Sequence, residues 1–379
     1  MTTIVTRKGG AFRPMQSNQI YAVYGQEGRQ MTLDVLRAAD VAALIPKRDA
    51  DIVIKPNLVV ARPAEGGATT HVSVIEGIID YLKENGFTRI SIIESSWVGD
   101  NTQRAYELCG YNELSRRTGV PLYDLKRDDA VTYEVKGMKL SVCKRAAQSD
   151  FLINVPVLKA HCQTYFTCAL KNLKGIIPDK EKRRYHTLGI HKPVALLNAA
   201  IRPGVTVVDA LCGDLTFEEG GNPVPMQRVL VGTDSVLLDS YGAELIGLSP
   251  DEVDYIPMAE QLGVGKRFQG PEQLIEINTP PDTQKSFPLS RRASMLARNV
   301  KADQACSACF GSLIHALNRL DEMGMLSRIR QPICIGQGYQ DQPVPGLGIG
   351  RCCRNAESCV GGCPPSARAI VDFLMEHTR

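Results

Sequence analysis

Cysteine is the residue type whose placement in this chain most needs a chemical explanation. Of twelve cysteines in 379 residues, seven fall at or after position 306: Cys306, Cys309, Cys334, Cys352, Cys353, Cys359 and Cys363. They lie in Cys306-Ser-Ala-Cys309, in the apolar run around Cys334, and in Gly350-Arg-Cys-Cys-Arg-Asn-Ala-Glu-Ser-Cys-Val-Gly-Gly-Cys-Pro-Pro365. Thiolates converging from loops hold iron–sulfur clusters, because soft sulfur suits iron and its negative charge offsets that of the metal. Cys306, Cys309, Cys352 and Cys363 are the expected ligands of one 4Fe-4S cluster, with Cys353 as the substitute for Cys352; three or four protein ligands both fit. Cys334 and Cys359, on apolar runs, read as small buried hydrophobes. Zinc is the competing metal, since a Cys-x-x-Cys pair serves it equally well. Zinc knuckles use two short pairs at regular spacing, however, and here the second half is spread out and ends in Cys-Pro-Pro, which favours a cluster.

The second concentration of chemistry is cationic. From Lys171 to Lys192 the chain carries Lys171, Lys174, Lys180, Lys182, Arg183, Arg184 and Lys192 against Asp179 and Glu181, with His186 and His191 interleaved. Such an excess in a Gly/Pro-bearing segment attracts an anion. Lys180 to Arg184 read as a solvated face. Lys171-Asn-Leu-Lys-Gly175 differs, because it follows an apolar-faced helix and ends at a glycine, so its polar groups are expected in a cleft. Lys171, His186 and His191 are the catalytic candidates, the imidazoles because they titrate near neutrality. Lys55, Asn57, Lys159, His161, Asn172, Lys174 and Asp209 are the candidates for holding the substrate. Packing or capping is the competing role for each histidine.

Elements must bring these residues together. Asp51-Ile-Val-Ile-Lys-Pro-Asn57 reads as a buried strand, Val72–Glu84 as an amphipathic helix stopped at Gly86, and Arg89-Ile-Ser-Ile-Ile-Glu94 as the next strand. Strand, helix and strand at this spacing imply a right-handed crossover and a parallel sheet. Its exits place Lys55, Asn57 and Glu94-Ser-Ser96 on one rim. The strand Asp150–Pro156 leads to Lys159 and His161, and strands at Val205–Asp209 and Arg228–Val231 flank a Gly/Pro-rich loop, Glu218 to Pro225. Asp234 caps a helix. Near the C-terminus, Cys306 opens a helix ended by Gly324. Short strands follow at Ile333–Ile335, Leu347–Ile349 and Ser358–Val360, and a last helix runs from Ser366 to Glu376. Loops at the carboxyl ends of parallel strands share a crevice, which lets Cys352 and Cys363 reach the Cys306 loop. The expected fold is α/β: a mostly parallel sheet flanked by helices in residues 1–285, a linker from Asn278 to Arg292, and a smaller α/β iron–sulfur module in residues 292–379.

The Gly-Cys-Pro-Pro ending followed by a helix resembles the cluster-binding ends of nickel–iron hydrogenase small subunits and of the complex I cluster subunit, over about the last thirty residues. In those families that cysteine ligates a cubane cluster. Ile-Lys55-Pro-Asn57, Val155-Pro-Val-Leu-Lys159, Leu170-Lys-Asn-Leu-Lys-Gly175, Thr206-Val-Val-Asp-Ala210 and Gly232-Thr-Asp-Ser-Val-Leu-Leu-Asp239 resemble, in order, the family called domain of unknown function 362, over residues 50–265. Members often carry iron–sulfur modules with repeated Cys-x-x-Cys-x-x-Cys. This chain has no such repeat, which implies a single cubane rather than a two-cluster wire.

Composition bounds the function. A net charge of +3 is too small to argue for nucleic acid or membrane,. No leader is visible at Met1–Gly10 and no apolar run spans a bilayer, so a reducing, cytoplasmic, anaerobic setting without disulfides is expected. No Gly-x-Gly-x-x-Gly follows a first strand, and Gly346-x-Gly-x-Gly350 precedes cysteines, so neither nicotinamide nor ATP is expected. The favoured reading is an iron–sulfur oxidoreductase or electron-transfer partner acting on a small anionic substrate, with a ferredoxin- or flavodoxin-like donor. The alternatives are a non-redox enzyme with an open iron site acting on a carboxylate or phosphate, and a sensor or scaffold. Oligomeric state stays open, a homodimer included.

Overall fold

A computed structural model describes residues 15–280 and 287–378. The expectation for Met1–Gly10, and residues 281–286 of the expected linker, lie outside them.

The large sheet has eight strands. In chain order they are β1 (Ile20–Tyr24), β2 (Ile52–Pro56), β3 (Ile90–Glu94) and β4 (Leu122–Asp124), then after a hairpin of β5 (Ala130–Val135) and β6 (Met138–Cys143) comes β7 (Phe151–Val155). A small hairpin, β8 (Lys159–His161) and β9 (Tyr165–Thr167), precedes β10 (Val205–Asp214), β11 (Pro223–Gly232) and β12 (Leu274–Glu276). The sheet runs β12-β1-β11-β10-β7-β2-β3-β4. Every pairing is parallel except those of β11 with β1 and with β10, so β11 alone opposes the rest.

Such a sheet must be covered on both faces, which explains why β2, β3 and β7 are buried at every position,. Ile52 and Ile54 point into one core with Val74, Ile75, Ile78, Ile79 and Leu82 of the helix Val72–Glu84. Val53 points into another with Ile93 and Leu197. Val207 and Val208 divide in the same way. Asp234 caps its helix by accepting from Val236 and Leu237 N–H at 2.8 and 3.0 Å, as its sequence position implies,. β10 and β11 extend beyond the expected strands and shorten the Gly/Pro-rich loop, because Pro223 and Pro225 lie on the exposed end of the ladder,.

Residues after 292 build a second sheet, all parallel, of β13 (Val300–Ala302), β14 (Ile333–Ile335), β15 (Leu347–Ile349) and β16 (Cys359–Val360). Its core joins Ile333, Ile335, Leu347 and Ile349 to Leu313, Ile314, Leu317 and Leu320 of the helix Ser307–Glu322, and to Ile370 and Leu374 of the helix Ala367–Met375. Gly324, at φ +67°, ends the longer helix,. The linker's last residues are anchored: Phe287 is buried and its N–H donates to Leu245 O at 2.8 Å.

Candidate functional site

The carboxyl ends of β2, β3 and β7 open onto a cleft of about 740 Å³ including its mouth. Its lining includes Lys55, Asn57, Glu94, Ser95, Lys159, His161, Lys171, Asn172, Lys174, Lys182, Arg183, His186, Glu218, Cys306 and Ser307. Five lysines in one crevice make it cationic, and their hydrogen bonds sort them into two kinds.

Lys55, Lys159 and Lys182 are committed to the protein. Lys55 Nζ donates to Pro56 O at 2.6 Å, Glu94 Oε2 at 2.9 Å and Asn172 Oδ1 at 3.1 Å, which uses every proton it has,. Lys159 Nζ donates to Ala68 O at 2.6 Å and Glu218 O at 2.9 Å. Burial pushes its ammonium down to about 7 against the pull of Glu218,. Lys182 Nζ reaches Ser95 O, Ser96 O and Asp179 Oδ1 at 2.9, 2.7 and 3.1 Å. The expectation of a solvated face at Lys180–Arg184 is therefore corrected: Glu181, Lys182, Tyr185 and His186 form a buried stripe of the helix Asp179–Thr187, and Lys182 ties that helix to the rim.

Lys171 and Lys174 are the other kind. They sit on the helix Ala169–Asn172 and the turn Leu173–Ile176. Asp239, fully buried, fixes that helix by accepting from Ala169 and Leu170 N–H at 2.6 and 3.1 Å. Lys174 Nζ lies 3.2 Å from His186 Nε2 and is pushed down to about 7 by burial and then by Lys171. Lys171 has no hydrogen-bond or ion-pair partner among the described residues. Burial lowers its pKa, opposed by Glu218. An ammonium held without a partner beside two others is a site for an anion.

Opposite it stands Glu218. Its Oε2 lies 2.7 Å from His161 Nε2, while Oε1 is buried without a partner. His161, Cys162 and Glu218 offer ligand atoms within 4.8 Å of one another, a spacing that a metal ion could span. The imidazole's other side argues differently. His161 Nδ1 accepts from Gln163 and Thr164 backbone N–H at 3.0 and 3.3 Å, so the ring proton must reside on Nε2 and point at Glu218,. Nε2 then has no lone pair for a metal, and the trio is better described as a neutral histidine steadying an ionised glutamate. Burial holds His161 down at about 3; Glu218, despite burial, is kept ionised by His161 and Lys171.

Of the expected cluster cysteines, Cys306 lines the edge of the cleft, and Cys352 and Cys363 lie near enough to act on its thiol electrostatically. Burial, followed by Cys352 and Cys363, pushes the Cys306 thiol up to about 11, relieved by Lys174 and Arg183. Burial, followed by Cys306, Cys363, Cys352 and Cys353, pushes Cys309 up to about 12. Burial and then the neighbouring thiols keep Cys306 and Cys309 protonated, an effect that a group bringing positive iron among them would reverse,. Cys353, the substitute, is buried and its thiol donates to Cys334 O at 3.3 Å. Cys359 Sγ lies 3.6 Å from Gly350 O.

Two expected site residues lie elsewhere. His191 is not on the cleft; it stacks on Tyr255 with ring centroids 5.8 Å apart, and its Nε2 is 3.9 Å from Asp254. Asp209 is not a cleft carboxylate, because its Oδ2 is engaged by His71 N and Nδ1 at 2.7 and 2.8 Å. Glu218, by contrast, was hidden in a loop that reads as a turn; the Glu-Glu pair before Gly-Gly was the available signal.

The Thylakoid-associated protein sll1697 of Synechocystis sp. is 21% identical over 303 residues, covering 76% of this chain and 87% of that one. The lactate racemase apoprotein from Thermoanaerobacterium thermosaccharolyticum superposes with a TM-score of 0.42 at 13% identity, over 64% of this chain and 60% of that one. No helix among the described residues is long and apolar enough to cross a membrane. The family profile described as Domain of unknown function (DUF362) matches residues 52–244, more than half of the 379, and the chain belongs to that family.

Proposed function

We propose that this chain is a 4Fe-4S enzyme whose cationic cleft binds a small anionic substrate, with an oxidoreductase role favoured. The observation that carries the reading is that Cys306, on which Cys352 and Cys363 act electrostatically, also lines the cleft that holds Lys171. Cys306, Cys309, Cys352 and Cys363 would hold the cluster, which when bound supplies one electron at a time. Lys171 takes the negative group of the substrate. Asn172 is fixed between Lys55 and Asn154 and keeps that helix in register. Glu218 Oε1, ionised and unpartnered, takes a proton from the substrate at that atom,. Lys174 donates to His186 Nε2, so His186 is neutral and its own ring proton sits on Nδ1,. An electron donor of ferredoxin or flavodoxin type in a reducing cytoplasm would complete the cycle.

A second reading, non-redox acid–base catalysis, is favoured by Glu218 itself, since an orphaned carboxylate needs no electron. Iron, zinc and sulfide content of anaerobically purified protein, with paramagnetic resonance before and after dithionite, separates these. About four irons and four sulfides per chain with a signal that dithionite creates are expected; zinc without sulfide would sink the cluster. A cluster signal that changes on adding phosphate or oxalate without turnover by any donor would favour the second reading.

A further inference from the structure

The half-exposed thiol of Cys212 lies outside the cleft, in an arrangement the cleft does not explain. Asp209 Oδ2 holds both the backbone N–H and the Nδ1 of His71, and Asp209 Oδ1 accepts from Leu211 N at 3.1 Å. The ring is thereby locked with Nδ1–H on the carboxylate, and its Nε2 faces Cys212 Sγ at 3.8 Å. A register shift between Ala210 and Cys212 lets β10 present Asp209 and Cys212 to the same imidazole, which regular alternation would forbid,. Cys109, Cys143, Cys162 and Cys168 are buried, so Cys212 is the accessible thiol before the C-terminal sheet.

We propose that Cys212 is a reactive thiolate paired with the His71 imidazolium, and that it is a modification site for small oxidants of the hydroperoxide class. An acid, an imidazole and a thiol in line is the arrangement that activates sulfur as a nucleophile. Burial works against charge on His71, but the Asp209 carboxylate and then Cys212 outweigh it and hold the ring up to about 11. His71 also stands at the N-terminus of the helix Val72–Glu84, whose dipole favours a negative sulfur nearby,. The titratable groups against Cys212 are His71 from that helix, Asp209 from its own strand and Glu65 from the turn Ala64–Gly66; across the ladder stands Pro225. The carbonyls of Ala64 and Glu65, 3.5 and 3.9 Å from Sγ, accept the S–H when the proton returns to sulfur. In the reaction the thiolate attacks one peroxide oxygen, an S–O bond forms and the O–O bond breaks. Sulfur loses two electrons to the peroxide, and the departing oxygen takes the imidazolium proton, leaving sulfenic acid, water or an alcohol, and neutral His71.

The test uses the full chain purified without oxygen. Iodoacetamide alkylation is mapped to Cys212 by peptide mass between pH 5.5 and 9, with Cys212→Ser as the blank. The expected rate at pH 6 is on the order of ten-fold above that of an ordinary thiol and nearly flat to pH 8. His71→Gln should slow it about ten-fold at pH 6 and restore a rise toward pH 8.5. Hydrogen peroxide with dimedone should then tag Cys212 in the parent and not in His71→Gln. A parent rate that climbs through pH 8 like a free thiol, or no dimedone adduct at Cys212, overturns the proposal. Circular dichroism reports whether His71→Gln folds; if it does not, the parent profile against the Cys212→Ser blank decides.

Discussion

Lys55 and Lys171 are both lysines of one cleft, and what separates their chemistry is whether the ammonium already has acceptors. Lys55 has three, so replacing it would leave Glu94 and Asn172 without their partner. Lys171 has none among the described residues. Removing an unpaired, half-buried charge relieves desolvation, so Lys171→Met should leave the melting temperature unchanged or raise it, a gain of about 0–2 kcal/mol. The same substitution should weaken phosphate or oxalate binding by calorimetry about ten-fold or more. A stability loss with unchanged binding would remove Lys171 from the site. The sequence made Lys171 visible through the glycine that ends its segment. It could not distinguish Lys55 from Lys171, because acceptor count is a property of three strand ends meeting. Asp209 and His191 were misjudged for the same reason: a polar residue at a strand or helix end has a partner only in three dimensions.

The turn Leu173–Ile176 works because of Gly175. A β-carbon there would collide with Glu94 Oε1 and with Lys55 Cε and Nζ, so the turn passes directly over the ion pair. Gly175→Ala should cost about 1–3 kcal/mol in urea unfolding, with weaker anion binding because Lys171 and Lys174 move with the turn. A variant as stable as the parent would mean that the rim tolerates displacement. The elements with strong periodicity were readable: the helix Val72–Glu84, the strands β2, β3 and β7, and the short apolar runs of the second sheet all lie where hydrophobic spacing puts them. The helix Asp179–Thr187 was misread because its buried stripe consists of Glu181, Lys182, Tyr185 and His186, and polarity patterns report nothing when the buried face is itself polar,. β11 was legible as a strand but not in its direction, since antiparallel pairing inside a parallel sheet leaves no mark on the residues.

Histidines give the folded protein opposite responses at the two ends of the pH scale. His161 is held at about 3, below its unfolded value near 6.5, so between those values the unfolded chain binds more protons and stability falls as pH drops,. His186 and His191 are lowered too and add to that loss. His71, held up at about 11, stabilises fully below 6.5 and loses its contribution as pH rises toward 11,. Between pH 7 and pH 5, urea unfolding should show the parent losing roughly 2 kcal/mol more stability than His161→Gln does, whatever Asp239, raised to about 7, adds back in both,. A loss of the same size in that variant would mean that His161 is not held neutral.

The loop between β10 and β11 carries two consecutive carboxylates that face opposite ways. Glu218 meets His161 in the cleft, while Glu219 Oε2 lies 3.0 Å from His315, on the helix that begins beside Cys306. Lys159 holds the carbonyl between them by donating to Glu218 O at 2.9 Å, and Arg62 holds the next two by donating to Glu219 O and Gly220 O at 3.1 and 3.3 Å. The wall of the cleft and the helix that carries Cys309 thus share one covalent strut, Glu218-Glu219, with a histidine on each carboxylate.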